Sequence, residues 1–110
     1  MSRPHFTLAA DVGGTKTLLE LGVVESGRYR RIHSGNYLNA DYGNVDEVSE
    51  AFLATAKERP KSIETACFAL AGPIVGRRVR LTNLPWEVDS DVLAQRLGIA
   101  RRCRDLAVRR

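Results

Sequence analysis

Seven consecutive residues, Asp11-Val-Gly-Gly-Thr-Lys-Thr17, gather the groups that could handle a phosphorylated ligand. Glycines 13 and 14 let backbone N–H groups approach an anion with no Cβ in the way. Thr15 adds a hydroxyl donor, and Lys16 or Thr17 supplies a charge or a further donor. Asp11, closing an apolar run, is placed to hold a hydrated Mg²⁺ beside such phosphates, through water. The same residues also suit a plain hairpin, with Gly13-Gly14 turning the chain and Asp11 satisfying turn amides. Spacing alone leaves both readings open. A Walker loop is excluded, because no Gly-Lys-Ser/Thr occurs and a strand is expected to follow. The pattern is not G-x-G-x-x-G either.

The elements that must position these groups follow from periodicity and punctuation. Thr7–Val12 reads as an apolar strand, Lys16–Val24 as a second, and Arg28–Leu38 as a third, more exposed one. Gly-containing turns between them predict an antiparallel meander. Asn44 is a good N-cap, with Asp46 and Glu47 at the positive end of the helix dipole. Val45, Val48, Phe52, Leu53 and Ala56 then share one face, Lys57 and Arg59 lie near the other end, and Pro60 is the stop. Thr65–Ala71 reads as a buried strand broken by Gly72-Pro73. Arg78–Thr82 alternates as a half-exposed strand, leading into irregular Asn83-Leu-Pro-Trp86. A second helix is expected over Ser90–Leu97, capped by Asp89 or Ser90 and ended by Gly98. The order β-β-β-α-β-β-α predicts an α/β fold, a mixed β-sheet with flanking helices.

Composition narrows the class. At 110 residues the chain suits one small domain, and 44% apolar with 27% charged residues is ordinary for a globular protein. No apolar run is long enough for a membrane span, and the N-terminal residues meet a charge too early for a secretory signal. Cys67 and Cys103 match neither a metal-site spacing nor a disulfide framework, so a cytoplasmic location is expected. The net charge of +4 is local: residues 1–100 carry twelve basic and twelve acidic residues, whereas the last ten carry five Arg and one Asp. His5 and His33 have no partner in local reach and are expected at the surface.

Asp-x-Gly-Gly-Thr after an apolar strand resembles the first phosphate loop of the sugar-kinase, heat-shock-protein and actin superfamily. Ala66-Cys-Phe-Ala-Leu-Ala-Gly-Pro-Ile-Val-Gly-Arg-Arg-Val-Arg-Leu-Thr-Asn-Leu-Pro-Trp86 narrows the match to the bacterial glucokinase family, over residues of about 6–100. The resemblance implies most of the smaller N-terminal lobe of an actin-like kinase (1–100), with 101–110 as an off-pattern tail. It implies ATP-dependent, Mg²⁺-assisted phosphorylation of glucose at its 6-hydroxyl by a cytoplasmic enzyme, with a homodimer as the parent assembly. Asp11, Gly13, Gly14, Thr15 and Lys16 match the ATP-phosphate loop, with Asp11 the metal-side residue. Gly72, Pro73, Asn83 and Trp86 match sugar-side loops, Asn83 as an amide partner and Trp86 as an apolar plate. For Trp86 a place in the core remains the competing expectation.

The family's Asn-Asp-Phe, whose Asp is the general base, is absent. Asp105 stands near its distance, but no Asn precedes it and Leu follows, so no catalytic residue is assigned. The turn to an Arg-rich end is what a shifted reading frame in a GC-rich gene would produce, and a truncated or frameshifted, inactive fragment is the expectation. The alternative is a small non-enzymatic α/β module with a basic, nucleic-acid-binding tail. The lack of interleaved aromatics weighs against nucleic acid.

Overall fold

The computed structural model describes residues 3–57, 60–99 and 106–109, the last four by backbone alone. Three strands, β1 (His5–Val12), β2 (Lys16–Glu25) and β3 (Arg28–Leu38), form the expected meander. Val12 faces Thr17 across the first hairpin, which leaves Gly13–Thr15 as the loop. The second hairpin turns at Ser26-Gly27, with φ of 53° and 76°; a two-residue turn needs such left-handed values to match the strand twist.

The first helix, α1 (Val45–Thr55), starts where Asn44 predicts, with the Asn44 side chain accepting from Val45 N–H. It ends earlier than Pro60 implies. The Thr55 hydroxyl donates to the Phe52 carbonyl at 2.7 Å and Ala56 is already extended, so Lys57 lies beyond the helix. Arg59 is outside the described residues. His33 also departs from expectation. Its ring stacks on Phe52 with centroids 4.9 Å apart, and its Nε2 is 2.9 Å from Thr55 Oγ1. His5 is exposed as expected.

Strand β4 (Thr65–Ala71) runs parallel to β1, which makes the sheet mixed. Beyond it come β5 (Ile74–Val75), β6 (Arg78–Arg80) and β7 (Glu87–Asp89), a separate three-stranded antiparallel sheet. In the sequence only the run at Arg78–Thr82, around β6, alternates; β5 and β7 carry no such run. The second helix, α2 (Ser90–Leu97), has Asp89 as its cap, accepting from Asp91 and Val92 N–H, and Gly98 at φ 69° as its end.

Five arginines in the last ten residues weigh against a buried strand there, yet β8 (Leu106–Arg109) pairs parallel with β4, giving the order β3-β2-β1-β4-β8. The apolar Leu106-Ala-Val108 is long enough for a four-residue ladder. Residues 100–105 and 110, including Asp105, lie outside the described residues.

Alternation puts Leu8, Ala10, Val12, Leu19, Leu21, Phe68 and Leu70 on one sheet face. There they form a single core with Val45, Val48, Phe52 and Leu53 of α1 and Leu93, Ala94 and Leu97 of α2. Both helices therefore pack on one side. On the other, Ala9, Leu18, Cys67 and Ala69 line an open groove of about 740 Å³.

Candidate functional site

The Gly loop sits at the carboxyl end of β1. Gly13 N–H donates to the Lys16 carbonyl at 2.9 Å, closing the turn, while Gly13, Gly14, Thr15 and Lys16 stay exposed. A Cβ on Gly13 would stand 3.1 Å from that carbonyl, closer than side chains normally pack. Asp11 is half-buried one turn of the pleat before the loop and lines both the open groove and a smaller cleft.

That cleft, about 300 Å³, is where the two sequence motifs meet. Asp11, Val12, Gly13 and Gly14 form one wall; Leu70, Ala71, Leu81, Asn83 and Leu84 form the other. A Cβ built on Gly14 would lie 3.5 Å from Asn83 Cβ, so the two loops touch. The parallel pairing explains this. The carboxyl ends of β1 and β4 fall side by side, and ligands of α/β sheets bind beyond such ends.

Gly72 acts from behind the cleft. A Cβ there would be 2.0 Å from the Arg80 carbonyl oxygen, so only glycine lets the chain after β4 pass so close to β6. Thr82 N–H then donates to the Ala71 carbonyl, and Leu81 N–H to the Trp86 carbonyl, both at 2.9 Å. These bonds close the loop that presents Asn83. Pro73 faces away, lining a second hollow with Val75, Arg78, Arg80 and Glu87. Trp86 is 4% exposed and belongs to the core, where it supports the loop from beneath. The structure thus brings Asp11, Gly13, Gly14 and Asn83 together and sets Pro73 and Trp86 apart.

Thr17, counted in the sequence as a possible ligand donor, is fully buried and donates to Asn39 Oδ1 at 2.6 Å. Asn39 was missed. Its Nδ2 donates to the Gly13 carbonyl and its backbone N–H to the Thr15 carbonyl, each at 2.8 Å. Nothing local signals this, because Asn39 meets its partners only when β3 lies against β2.

Among the described residues no group of three or more His, Cys, Asp or Glu could cage a metal ion. A single carboxylate, Asp11, beside an exposed glycine loop is compatible with Mg²⁺, which keeps several waters and binds through few protein ligands. No helix among the described residues is long and apolar enough to cross a membrane.

Residues 8–103 match the family described as Glucokinase, a span that takes in both loops and both helices. The chain belongs to the glucokinase family. It is 42% identical over 93 residues to the glucokinase of Trichormus variabilis, covering 84% of this chain and 27% of that one. For the Synechocystis glucokinase the figures are 35% over 102 residues, 86% and 29%. The crystal structure of a glucokinase from an Antarctic psychrotroph superposes with a TM-score of 0.69 at 25% identity, over 94% of this chain and 31% of that one. A ROK hexokinase from Thermus thermophilus shares the fold at a TM-score of 0.51 and 22% identity, over 94% of this chain and 34% of that one. The chain therefore spans between a quarter and a third of the length of the relatives it matches.

Proposed function

We propose that this chain carries the ATP-phosphate loop and one wall of the sugar cleft of a glucokinase. The reaction is transfer of the γ-phosphoryl group of ATP to the 6-hydroxyl of glucose, in the cytoplasm. The observation that carries this reading is the meeting of Asp11–Gly14 with Asn83 in one cleft. Exposed backbone N–H groups of the glycine loop, the Thr15 hydroxyl and the Lys16 ammonium would bind phosphate oxygens. Asp11 would hold Mg²⁺ through its waters, and the ion would neutralise charge on the phosphates. Asn83 offers an amide donor and acceptor to a sugar hydroxyl across about 300 Å³ of space. Gly72 and Pro73 shape the sugar side rather than touch it, and Trp86 braces it. Phosphoryl transfer depends chiefly on positioning and electrostatic stabilisation, which is what such a loop supplies. These residues include no Asn-Asp-Phe, so by themselves they bind and do not turn over.

The test is a ¹⁵N NMR titration of the 110-residue chain with MgATP, then with glucose, alongside a coupled assay for glucose 6-phosphate. MgATP should shift the amides of Gly13–Lys16, and glucose should shift Asn83. The coupled assay should stay at its heat-killed baseline. Silence of the loop at millimolar MgATP would refute the phosphate site.

A further inference from the structure

One buried residue outside the proposed ligand contacts is hydrogen-bonded to the loop that makes them. Asn39 is 3% exposed and sits in a 3-10 turn (Asn39–Asp41) after β3. It holds two carbonyls of the glycine loop, Gly13 by its side-chain N–H and Thr15 by its backbone N–H, each at 2.8 Å. Its own Oδ1 is occupied by the Thr17 hydroxyl at 2.6 Å, which fixes which end of the amide faces Gly13. In a trans peptide the N–H points opposite to the C=O. Drawing the Gly13 carbonyl toward Asn39 therefore turns the Gly14 N–H away from it, and the Thr15 carbonyl does the same for the Lys16 N–H. Glycine populates both signs of φ about equally, so the Gly13–Gly14 peptide has little intrinsic preference for either orientation.

We propose that Asn39, oriented by Thr17, is the positioning residue that sets the peptide orientation of the Gly13–Lys16 loop and thereby its affinity for a polyphosphate. The affinity half rests on the phosphate-site reading above; the orientation half does not. Dissociation constants for inorganic triphosphate are measured well below each variant's own melting temperature, with ¹⁵N heteronuclear NOEs at Gly14 and Lys16 recorded without ligand. Asn39→Asp keeps the acceptor for Thr17 and removes the donor to Gly13. It should lower the NOEs and weaken triphosphate binding about tenfold, the size of one lost hydrogen bond. Thr17→Val should do the same more weakly, and Thr17→Ser should restore both readouts, which a general loss of stability would not do. Unchanged NOEs and affinity in folded Asn39→Asp overturn the proposal. If Asn39→Asp does not fold, Thr17→Val and Thr17→Ser decide: equal affinities and NOEs overturn it. A wild-type chain that ignores triphosphate sinks the phosphate reading instead, and the ligand-free NOEs still decide the role of Asn39.

Discussion

Gly72 has no side chain because the Arg80 carbonyl fills the place where one would go, 2.0 Å from an ideal Cβ. Gly72→Ala must push two backbone segments apart. The expected cost is about 2 kcal/mol or more, seen as a lower urea midpoint, with the Asn83 amide shifted in the NMR spectrum. Ser49 is the opposite case. It is fully buried on α1, and its hydroxyl has no hydrogen-bond partner among the described residues. Ser49→Ala removes an uncompensated polar group and should raise stability by about 1 kcal/mol, read as a higher urea midpoint. Of these details the sequence showed only part. Gly72-Pro73 is legible as a break, and Asp11–Lys16 as a loop, since both are written in adjacent residues. The close approach to Arg80 and the Asn39 bonds are not, because their partners lie 8 and from 22 to 26 residues away in the chain.

At the scale of elements, α2 is held at its start by Asp89 and along its side by Arg96. The N–H groups of Val92 and Asp91 and the Arg78 guanidinium hold the Asp89 carboxyl below its usual range. A lowered carboxyl gives stability that is present above the ordinary value near 4 and lost as pH falls through the folded one. Asp89→Asn keeps an acceptor for the cap but cannot titrate, so its loss of stability below about pH 4 should be shallower in urea midpoints taken against pH. Arg96 bonds Asp46 at 3.1 Å and also Glu50, clamping α2 to α1. Burial pushes the Asp46 carboxyl up despite that partner. A raised carboxyl has the reverse sign, and stability falls as pH rises through its window. Arg96→Ala widens the window, so its destabilisation should be larger at pH 7 than at pH 4, by the same measurement. Helix α2 was legible to the residue because Asp89 and Gly98 punctuate it. The end of α1 was not, since Thr55 stops it with a hydroxyl rather than with Gly or Pro. Strands β5 and β7 were too short to alternate.

At the scale of the molecule, the sheet has two edges and treats them differently. The outer strand β3 carries exposed Arg28, Arg30 and Arg31, charges that discourage pairing with another chain. The other edge is β8, which covers β4. Deleting residues 106–110 should uncover the apolar β4, lower the melting temperature and produce oligomers by analytical ultracentrifugation. A monomeric deletion variant with an unchanged melt would show that β8 contributes nothing. The parallel pairing of β1 with β4 has a consequence of another kind. Asp11 stands opposite Ala69; the glycine loop follows β1 directly, and the Asn83 loop, which follows β6, is tied to the end of β4 by the Thr82 N–H on the Ala71 carbonyl. The spacing of the glycine loop and the Asn83 loop is thus anchored in the sheet ladder. A slip of one residue would carry Asn83 about 3.3 Å along the strand and turn the faces of β4 over. Reach across the cleft therefore changes in whole strand steps and cannot slide by degrees.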